Sequence, residues 1–279
     1  MARRKVVPAA VETPAGTFTR SHRGGSGPPL VCLHGFMDTW RIWELVLPRL
    51  ERAHEVLAPT LAGHAGGPSL RAEPSAGTIA DAVERAMDEA EFATAHLVGN
   101  SLGGFIALLL ASRGRARSVV AFAPAGGWAG GDRSFVELLR FQLGLQTQVR
   151  AAVPGAETVL ASAEGRRRAT QFLTTNYEHI PAELLLHQMV GIAQCPVASV
   201  LADRAPFADW ELAAERITCP VRIVWGTADR LLPWPAAAAR YRAEWLPHAD
   251  WVELDDVGHC PQLDVPLEAA ELVLGFTSG

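Results

Sequence analysis

One serine of the chain stands on a turn that could make it a nucleophile. Ser101 lies in Gly99-Asn100-Ser101-Leu102-Gly103, which fits the pattern G-x-S-x-G. The apolar residues on either side predict a buried strand that ends before this turn and a helix that begins at Ser101. Small glycines let such a strand and helix approach closely, while the serine adopts a strained conformation. This context predicts covalent catalysis by Ser101.

A serine hydroxyl needs a base that takes its proton, and the base needs an acid that fixes its tautomer. His259 follows the last predicted strand, from which a loop can reach back over the sheet. Asp229 follows the strand before that one. The sequence therefore predicts Ser101 as nucleophile, His259 as base and Asp229 as acid. Asp255 and Asp256 are alternatives for the acid, but their place at a strand end favours solvated carboxylates.

The elements that must position these residues alternate between strands and helices, which is typical of a mostly parallel sheet. Apolar runs predict strands at 30–33, 55–58, 95–98, 118–122, 221–225 and 251–254, with 6–11 and 17–21 as an antiparallel pair at one edge. Helical periodicity predicts crossover helices at 39–52, 78–91, 101–113, 236–245 and 267–276. Thr78 and Asp81 predict a capping box at the start of the second of these helices.

The alternation stops between about residues 126 and 205. Helical patterns at 135–145, 156–176 and 182–194 follow one another there without a convincing strand. We therefore predict a core formed by residues 1–125 and 206–279, and an inserted helical cap formed by residues 126–205. An insertion at this point would lie over the carboxyl ends of the strands, where open α/β sheets bind ligands.

These motifs and their order resemble the α/β-hydrolase superfamily over nearly the whole chain outside the cap. The resemblance implies the α/β-hydrolase fold, in which a mostly parallel sheet is flanked by helices, and a triad in the order Ser101, Asp229, His259. His34-Gly35-Phe36 resembles the oxyanion motif of that superfamily, which implies that the amide of Phe36 is one oxyanion donor. The helix beginning at Ser101 directs the amide of Leu102 to the same place as a second donor.

The resemblance implies acyl transfer from a carboxylic ester, or a related acyl compound, to water. No metal and no organic cofactor is expected, and the substrate is expected to be a small, largely apolar molecule. His34 and His64 are predicted to have structural roles, and Asn100 is predicted to support the turn. Four residues are candidates for the substrate pocket: Met37, Trp128, Phe135 and Leu231.

Other activities of the superfamily stay as alternatives. Members that hydrolyse a carbon-carbon bond in a vinylogous diketone have a turn similar to Gly99-Asn100-Ser101-Leu102-Gly103-Gly104. A ligand-binding receptor and a proton-transfer lyase are further possibilities. Members that open epoxides or displace halide carry aspartate at the nucleophile position, and the serine here argues against both activities.

Composition excludes several other classes of function. The 279 residues carry a formal net charge of -5 and offer no basic face for nucleic acid. No apolar run is long enough to predict a membrane span or a signal peptide. The four cysteines lack the paired spacing of a zinc site or a disulfide framework, which predicts reduced thiols in the cytoplasm. A small-molecule substrate is thus the expected partner, and the oligomeric state stays open.

Overall fold

A mixed sheet organises the protein in a computed structural model that describes residues 18–129, 132–202 and 210–278. Within these ranges the sheet has seven strands in the order β1-β3-β2-β4-β5-β6-β7. All neighbouring strands are parallel except β1, which pairs antiparallel with β3. The mostly parallel sheet predicted from the sequence is thereby confirmed. The strands are β1 (Ser21–Gly25), β2 (Pro29–Leu33), β3 (Glu55–Pro59), β4 (Ala95–Asn100), β5 (Ala116–Phe122), β6 (Val221–Gly226) and β7 (Asp250–Leu254).

The inner strands β2 to β6 are largely apolar because both faces of the sheet are covered there. Val31 and Leu33 of β2 belong to one hydrophobic cluster. Leu30 and Cys32 of the same strand belong to a second cluster on the opposite face. Every residue of the central strand β4 is buried.

Ten α-helices lie in the described residues, and two of them cover the first face of the sheet. Helix α3 begins directly after Ser101, and ten of its residues are buried, so it is apolar on all sides. It packs with α2 over β2, β4 and β5. The helices are α1 (Leu47–Leu50), α2 (Ala76–Glu89), α3 (Leu102–Ser112), α4 (Ser134–Ala152), α5 (Ala156–Leu160), α6 (Ala163–Thr170), α7 (Ala182–Gln194), α8 (Pro196–Ala202), α9 (Pro261–Asp264) and α10 (Pro266–Thr277).

The structure corrects the predicted start of α2. This helix begins at Ala76, and its N-cap is Ser75, whose hydroxyl accepts a hydrogen bond of 3.0 Å from the Thr78 amide. The Thr78 hydroxyl in turn accepts one of 3.0 Å from the Ser75 amide. The predicted box of Thr78 and Asp81 is therefore wrong, because Thr78 is the third helical residue and completes the box that Ser75 begins.

Three predicted helices are shorter or broken in the structure. Residues 39–52 form a 3₁₀ turn (Trp40–Trp43) and then α1, in which Pro48 lies at the first turn because it has no amide to donate. Residues 156–176 form α5 and α6, separated where Ser162 caps α6. Residues 236–245 form a 3₁₀ turn (Ala236–Ala238) and a single π-helical turn (Tyr241–Trp245).

The edge of the sheet also differs from the prediction. The strand expected at 17–21 is β1, which spans Ser21–Gly25 and alternates between exposed and half-buried residues. Its sequence, SHRGG, has no apolar alternation, so its extent could not be found from hydrophobicity. The partner strand predicted at 6–11 lies outside the described residues.

The described residues between β5 and β6 form helices α4 to α8 and no strand, as expected for an insertion. Helices α5 and α7 pack on the second hydrophobic cluster through Leu160, Leu184 and Leu185. The predicted boundaries after residues 125 and 205 remain predictions, and the second lies outside the described residues. No helix in the described ranges is both long and apolar enough to cross a membrane.

Two glycine substitutions test how closely α3 must approach the sheet. A Cβ at Gly103 would lie 2.2 Å from the Leu33 carbonyl oxygen, so Gly103→Ala should destabilise the protein by about 3 kcal/mol or more. A Cβ at Gly144 in α4 meets nothing within 4 Å, so Gly144→Ala should stabilise it by about 0.5–1 kcal/mol. Denaturant unfolding measures both changes, and equal effects at the two sites would contradict this account.

Candidate active site

Ser101 occupies the sharp turn between β4 and α3. Its φ of 56° and ψ of -119° are rare for a residue with a side chain. Two hydrogen bonds hold this strained backbone: the Ser101 amide donates to the Phe122 carbonyl at 2.9 Å, and the Ser101 carbonyl accepts from the Ala125 amide at 3.0 Å. A Cβ at Gly99 would lie 2.2 Å from the Gly103 carbonyl oxygen, so the turn requires glycine there. The turn therefore places the serine at the carboxyl end of the central strand.

His259 and Asp229 form a buried hydrogen-bonded pair. His259 Nδ1 lies 2.7 Å from Asp229 Oδ2, and the two residues are 3% and 5% exposed. The other carboxylate oxygen of Asp229 accepts the amides of Leu231 and Leu232, each at 2.8 Å. Since a carboxylate can only accept, Nδ1 carries the proton and Nε2 of the neutral ring is left as an acceptor.

The alternative acids lie elsewhere on the loop after β7. Asp255 accepts a hydrogen bond from the Thr227 hydroxyl at 3.2 Å, and both Asp255 and Asp256 are exposed. The carboxylate at His259 in this structure is thus that of Asp229.

Asn100 connects the nucleophile turn to the loop of His259. Its side-chain amide donates to the His259 carbonyl at 2.9 Å, and its oxygen accepts from Gln262 Nε2 at 3.1 Å. The sequence predicted that Asn100 supports the turn. The contacts of Asn100 also link this turn to the loop that carries His259. The Ser101 hydroxyl makes no hydrogen bond within the described residues, as is common before substrate binds.

His34 fixes the direction of a peptide beside Ser101. His34 Nε2 accepts the Leu61 amide at 2.8 Å, so its proton is on Nδ1, which donates to the Gly35 carbonyl at 2.7 Å. The Phe36 amide belongs to the same trans peptide as that carbonyl and points the opposite way. A Cβ at Gly35 would lie 3.3 Å from Ser101 Cβ, so this peptide passes directly beside the serine.

The two histidines behind this peptide remain neutral. Burial lowers the pKa of His34 well below its usual range, and the neighbouring His64 lowers it further. Burial also lowers the pKa of His64 to about 4. Their rings lie 5.0 Å apart in an edge-to-face arrangement. A neutral His34 keeps one acceptor and one donor, which its two backbone contacts require.

A small cavity opens at Ser101. Its volume is about 40 Å³, room for roughly three water molecules. Of the predicted pocket residues, Trp128 and Phe135 line it, and so do Phe36 and Leu102, the predicted oxyanion donors. The sequence did not single out the remaining lining residues, which are Ala125, Leu138, Leu139, Gln142 and Trp210.

Met37 and Leu231 are not among the described residues that line this cavity. Met37 has a φ of 63° and packs in a separate cluster with Leu139, Cys195 and Val197. Leu231 follows Asp229 and is half-buried, with its amide bound to the carboxylate. Sequence position near the site did not reveal these orientations, because they depend on backbone turns at single residues.

Three aromatic side chains in the lining of the cavity contact one another. Trp128, Phe135 and Trp210 lie with ring centroids 5.2 to 5.9 Å apart. Phe105 of α3 lies 4.7 Å from Trp210, edge to face. Such contacts between core and cap aromatic rings create an apolar surface. Gln142 of α4 is the one amide side chain in the described lining.

A buried thiol and a carboxylate lie near the site without joining the pair of His259 and Asp229. Burial raises the pKa of the Cys260 thiol well above its usual range, so the thiol is protonated, and it donates to Asn100 Oδ1 at 3.3 Å. Desolvation likewise raises the pKa of Asp38, two residues beyond Phe36, to about 7. In the described part of the chain, no three His, Cys, Asp or Glu side chains are grouped to hold a metal ion.

The chain is similar in sequence and in fold to known proteins. A sequence model described as "Alpha/beta hydrolase family" matches residues 30–272. The chain is 33% identical to epoxide hydrolase EphH of Mycobacterium tuberculosis (strain ATCC 25618 / H37Rv) over 204 residues, which are 72% of this chain and 94% of that protein. It is 28% identical to the pimeloyl-[acyl-carrier protein] methyl ester esterase of Aromatoleum aromaticum (strain DSM 19018 / LMG 30748 / EbN1), over 90% of this chain and 99% of the other.

Among solved structures, the fold is similar to that of a meta-cleavage product hydrolase from Pseudomonas fluorescens IP01. The TM-score is 0.70 with 20% sequence identity, and the match covers 98% of each chain. This likeness shows the fold alone.

The raised pKa of Asp38 predicts a stability that depends on pH. Its folded-state pKa of about 7 is above the unfolded value of about 3.9, so the folded state binds more protons between these limits. Ionising Asp38 therefore removes stability as pH rises through about 7. Asp38→Asn should raise Tm by about 2–4 °C at pH 8, and this gain should shrink towards pH 5. Scanning calorimetry at both pH values tests this, and a gain that is constant with pH would contradict it.

Proposed function

The chain belongs to the α/β-hydrolase family, and we propose that it hydrolyses a carboxylic ester or related acyl bond of a small, largely apolar substrate. Ser101 is the nucleophile, His259 the base and Asp229 the acid that orients it. The observation that carries this proposal is the buried 2.7 Å contact between His259 Nδ1 and Asp229 Oδ2, on a loop that Asn100, the neighbour of Ser101, binds through the His259 carbonyl at 2.9 Å.

The first half of the reaction transfers the acyl group to the enzyme. Ser101 Oγ attacks the carbonyl carbon while His259 Nε2 takes the hydroxyl proton. The Asp229 carboxylate stabilises the imidazolium that forms. The amides of Phe36 and Leu102 donate to the oxygen that becomes negative, each worth about 3 kcal/mol in the transition state. The C–O bond to the alcohol then breaks, and His259 returns the proton to the leaving alcohol.

Water completes the second half by the same route. His259 takes a proton from a water molecule, whose oxygen attacks the acyl-enzyme carbonyl. The ester bond to Ser101 breaks, and the serine oxygen recovers its proton from His259. The carboxylic acid product leaves, and the enzyme returns to its starting state.

The apolar lining of the cavity supports the substrate class. Trp128, Phe135 and Trp210 offer an aromatic surface for an acyl or alcohol group, which a strongly charged group would not match. The cavity of about 40 Å³ is far smaller than the roughly 300 Å³ or more of typical ligand sites. Substrate entry therefore requires that this cavity widen.

The names of the two relatives indicate different reactions for those proteins. The name of the Aromatoleum relative specifies a methyl ester, in line with ester hydrolysis here. The Mycobacterium relative is named an epoxide hydrolase. If a serine opened an epoxide, the product would be an ether to Ser101, which has no carbonyl that water could attack. Covalent epoxide opening would therefore leave a stable ether on Ser101 and inactivate the enzyme after a single reaction.

The nucleophile is tested by Ser101→Ala. Wild type should hydrolyse short p-nitrophenyl esters and react with a fluorophosphonate probe. Ser101→Ala should lose about 10⁶-fold in kcat and all labelling, since triad members act as a unit. Ser278→Ala, an exposed serine near the end of the chain, is the matched control and should keep both activities. Ester hydrolysis that survives Ser101→Ala in pure protein would exclude this role of the residue.

Hydrolysis of a carbon-carbon bond is the second candidate. The turn Gly99 to Gly104 favours it, because it resembles the corresponding turn of enzymes with that activity. A vinylogous diketone would place its ketone carbonyl at Ser101 and leave a stabilised carbanion, which takes a proton in place of the alcohol oxygen. The same two oxyanion donors would serve that reaction.

A direct competition separates these two candidates. We expect kcat/KM for a p-nitrophenyl ester of three to six acyl carbons to exceed that for a dienol diketone. Both rates are followed by absorbance on the same enzyme preparation, with Ser101→Ala as the blank. Turnover of the diketone that is at least tenfold faster would reverse the order of the two candidates.

A further inference from the structure

A buried carboxylate outside the triad receives hydrogen bonds from two separate parts of the chain. Asp264, the last residue of α9, is 2% exposed. Its Oδ2 accepts the Gly258 amide at 2.6 Å and the Thr175 amide at 2.9 Å. Its Oδ1 accepts the backbone amide of Asn176 at 2.7 Å and the side-chain amide of Asn176 at 2.9 Å. Gly258 precedes His259, whereas Thr175 and Asn176 belong to the predicted cap.

The residue that follows His259 is hydrogen-bonded to the same cap segment. The amide of Cys260 donates to the Leu173 carbonyl at 2.9 Å. The Thr175 hydroxyl donates to the Asp256 carbonyl at 2.6 Å. Both neighbours of His259 are therefore bound to residues 173–176, Cys260 directly and Gly258 through Asp264.

The backbone at Gly258 is in close contact with the cap segment. A Cβ at Gly258 would lie 2.7 Å from the Leu173 carbonyl oxygen and 2.9 Å from Thr174 Cα. Only glycine fits at this position, where the loop of residues 256–260, here called the base loop, passes the backbone of cap residues 173 and 174. A shift of residues 173–176 would thus displace the peptide next to the base.

The chemistry of Asp264 suits a fixed connection. Both of its oxygens accept N–H groups. Its partners in the described residues are neutral amides and a hydroxyl, and no cation pairs with it there. A buried N–H group that loses its acceptor costs about 1–3 kcal/mol, so separating the base loop from the cap segment would be unfavourable for both.

We propose that Asp264 is a positioning residue, which ties cap residues 173–176 to the base loop and so holds His259 in line with Asp229 and Ser101. This rests on the proposed function for its catalytic readout. It follows that this edge of the cap stays attached to the base loop when substrate enters. Asp264 itself touches neither the substrate nor the reacting atoms.

The test compares substitutions on both sides of the connection. Asp264→Ala removes all the acceptors, and Asp264→Asn keeps one acceptor oxygen while placing an amide donor against N–H groups. Asn176→Ala removes one donor from the cap side only. Asp256→Asn is the matched control, because it removes one carboxylate from the same loop at an exposed position. Ester hydrolysis and amide hydrogen exchange by mass spectrometry are measured on each variant.

If His259 depends on this connection, Asp264→Ala should lower kcat about 10²-fold, the scale expected for a 1 Å misplacement, with KM changed less than about threefold. Asp264→Asn should lower kcat about tenfold, Asn176→Ala by less, and Asp256→Asn by less than about twofold. Exchange should rise together at residues 173–176 and 256–260 in the Asp264 variants. A lower Tm with unchanged kcat in the folded variants would reduce Asp264 to a structural residue and overturn the proposal.

Hydrogen exchange keeps this test apart from that of the proposed function. If wild type neither hydrolyses esters nor reacts with a fluorophosphonate, the proposed function fails, and exchange at both segments still decides whether Asp264 joins them. If wild type is active and Asp264→Asn accelerates exchange in only one segment, the connection itself is refuted. Should Asp264→Ala not fold, Asp264→Asn and Asn176→Ala carry the same comparison.

Discussion

The close approach of α3 to the sheet is the constraint on which the site depends. Without side chains at Gly99 and Gly103, the helix starts immediately after β4, and Ser101 is left in a conformation that is unfavourable for it. The cost of that conformation is offset by the burial of nearly all of α3 between the sheet and its neighbours. The same geometry sets the Leu102 amide at the start of the helix, where no earlier carbonyl can accept it. Packing in the core thus fixes the serine and the amide proposed as one oxyanion donor together.

The other half of the site is held by polar contacts in loops. Asp229 receives two backbone amides besides His259, so its orientation is set before any substrate arrives. Asn100 extends this network by binding the His259 carbonyl. A hydrogen bond between buried partners is directional, and several bonds on one loop leave it a single arrangement. As an α/β-fold hydrolase, the protein therefore combines a helix fixed by packing with a base fixed by hydrogen bonds.

Much of the fold could be predicted because buried strands and apolar helices leave strong patterns. The places of strands β2 to β7 along the chain follow from apolar runs, and the position of Ser101 follows from glycine spacing in a short segment of sequence. The helix at 39–52 could not be predicted correctly, because Pro48 and the 3₁₀ turn before it interrupt an apolar pattern that otherwise looks helical. Asp264 was missed for a different reason. Its partners Thr175 and Asn176 lie almost ninety residues away, and one aspartate after a histidine has no pattern of its own.

The described segment between β5 and β6 contacts both halves of the candidate site. Besides the contacts at Asp264, a second contact involves Thr39, which lies three residues beyond Phe36. The Thr39 hydroxyl is 3.1 Å from His187 Nε2 of α7. Gln188 Nε2 of the same helix lies 3.5 Å from the Asp38 carboxylate. Helix α7 therefore adjoins the loop that presents the Phe36 amide, while residues 173–176 adjoin the loop that presents His259. Helix α4 is itself bound to the end of α7, because Gln146 Nε2 donates to the Ile192 carbonyl at 2.9 Å. The helices between β5 and β6 are thus joined to one another as well as to the two loops of the candidate site.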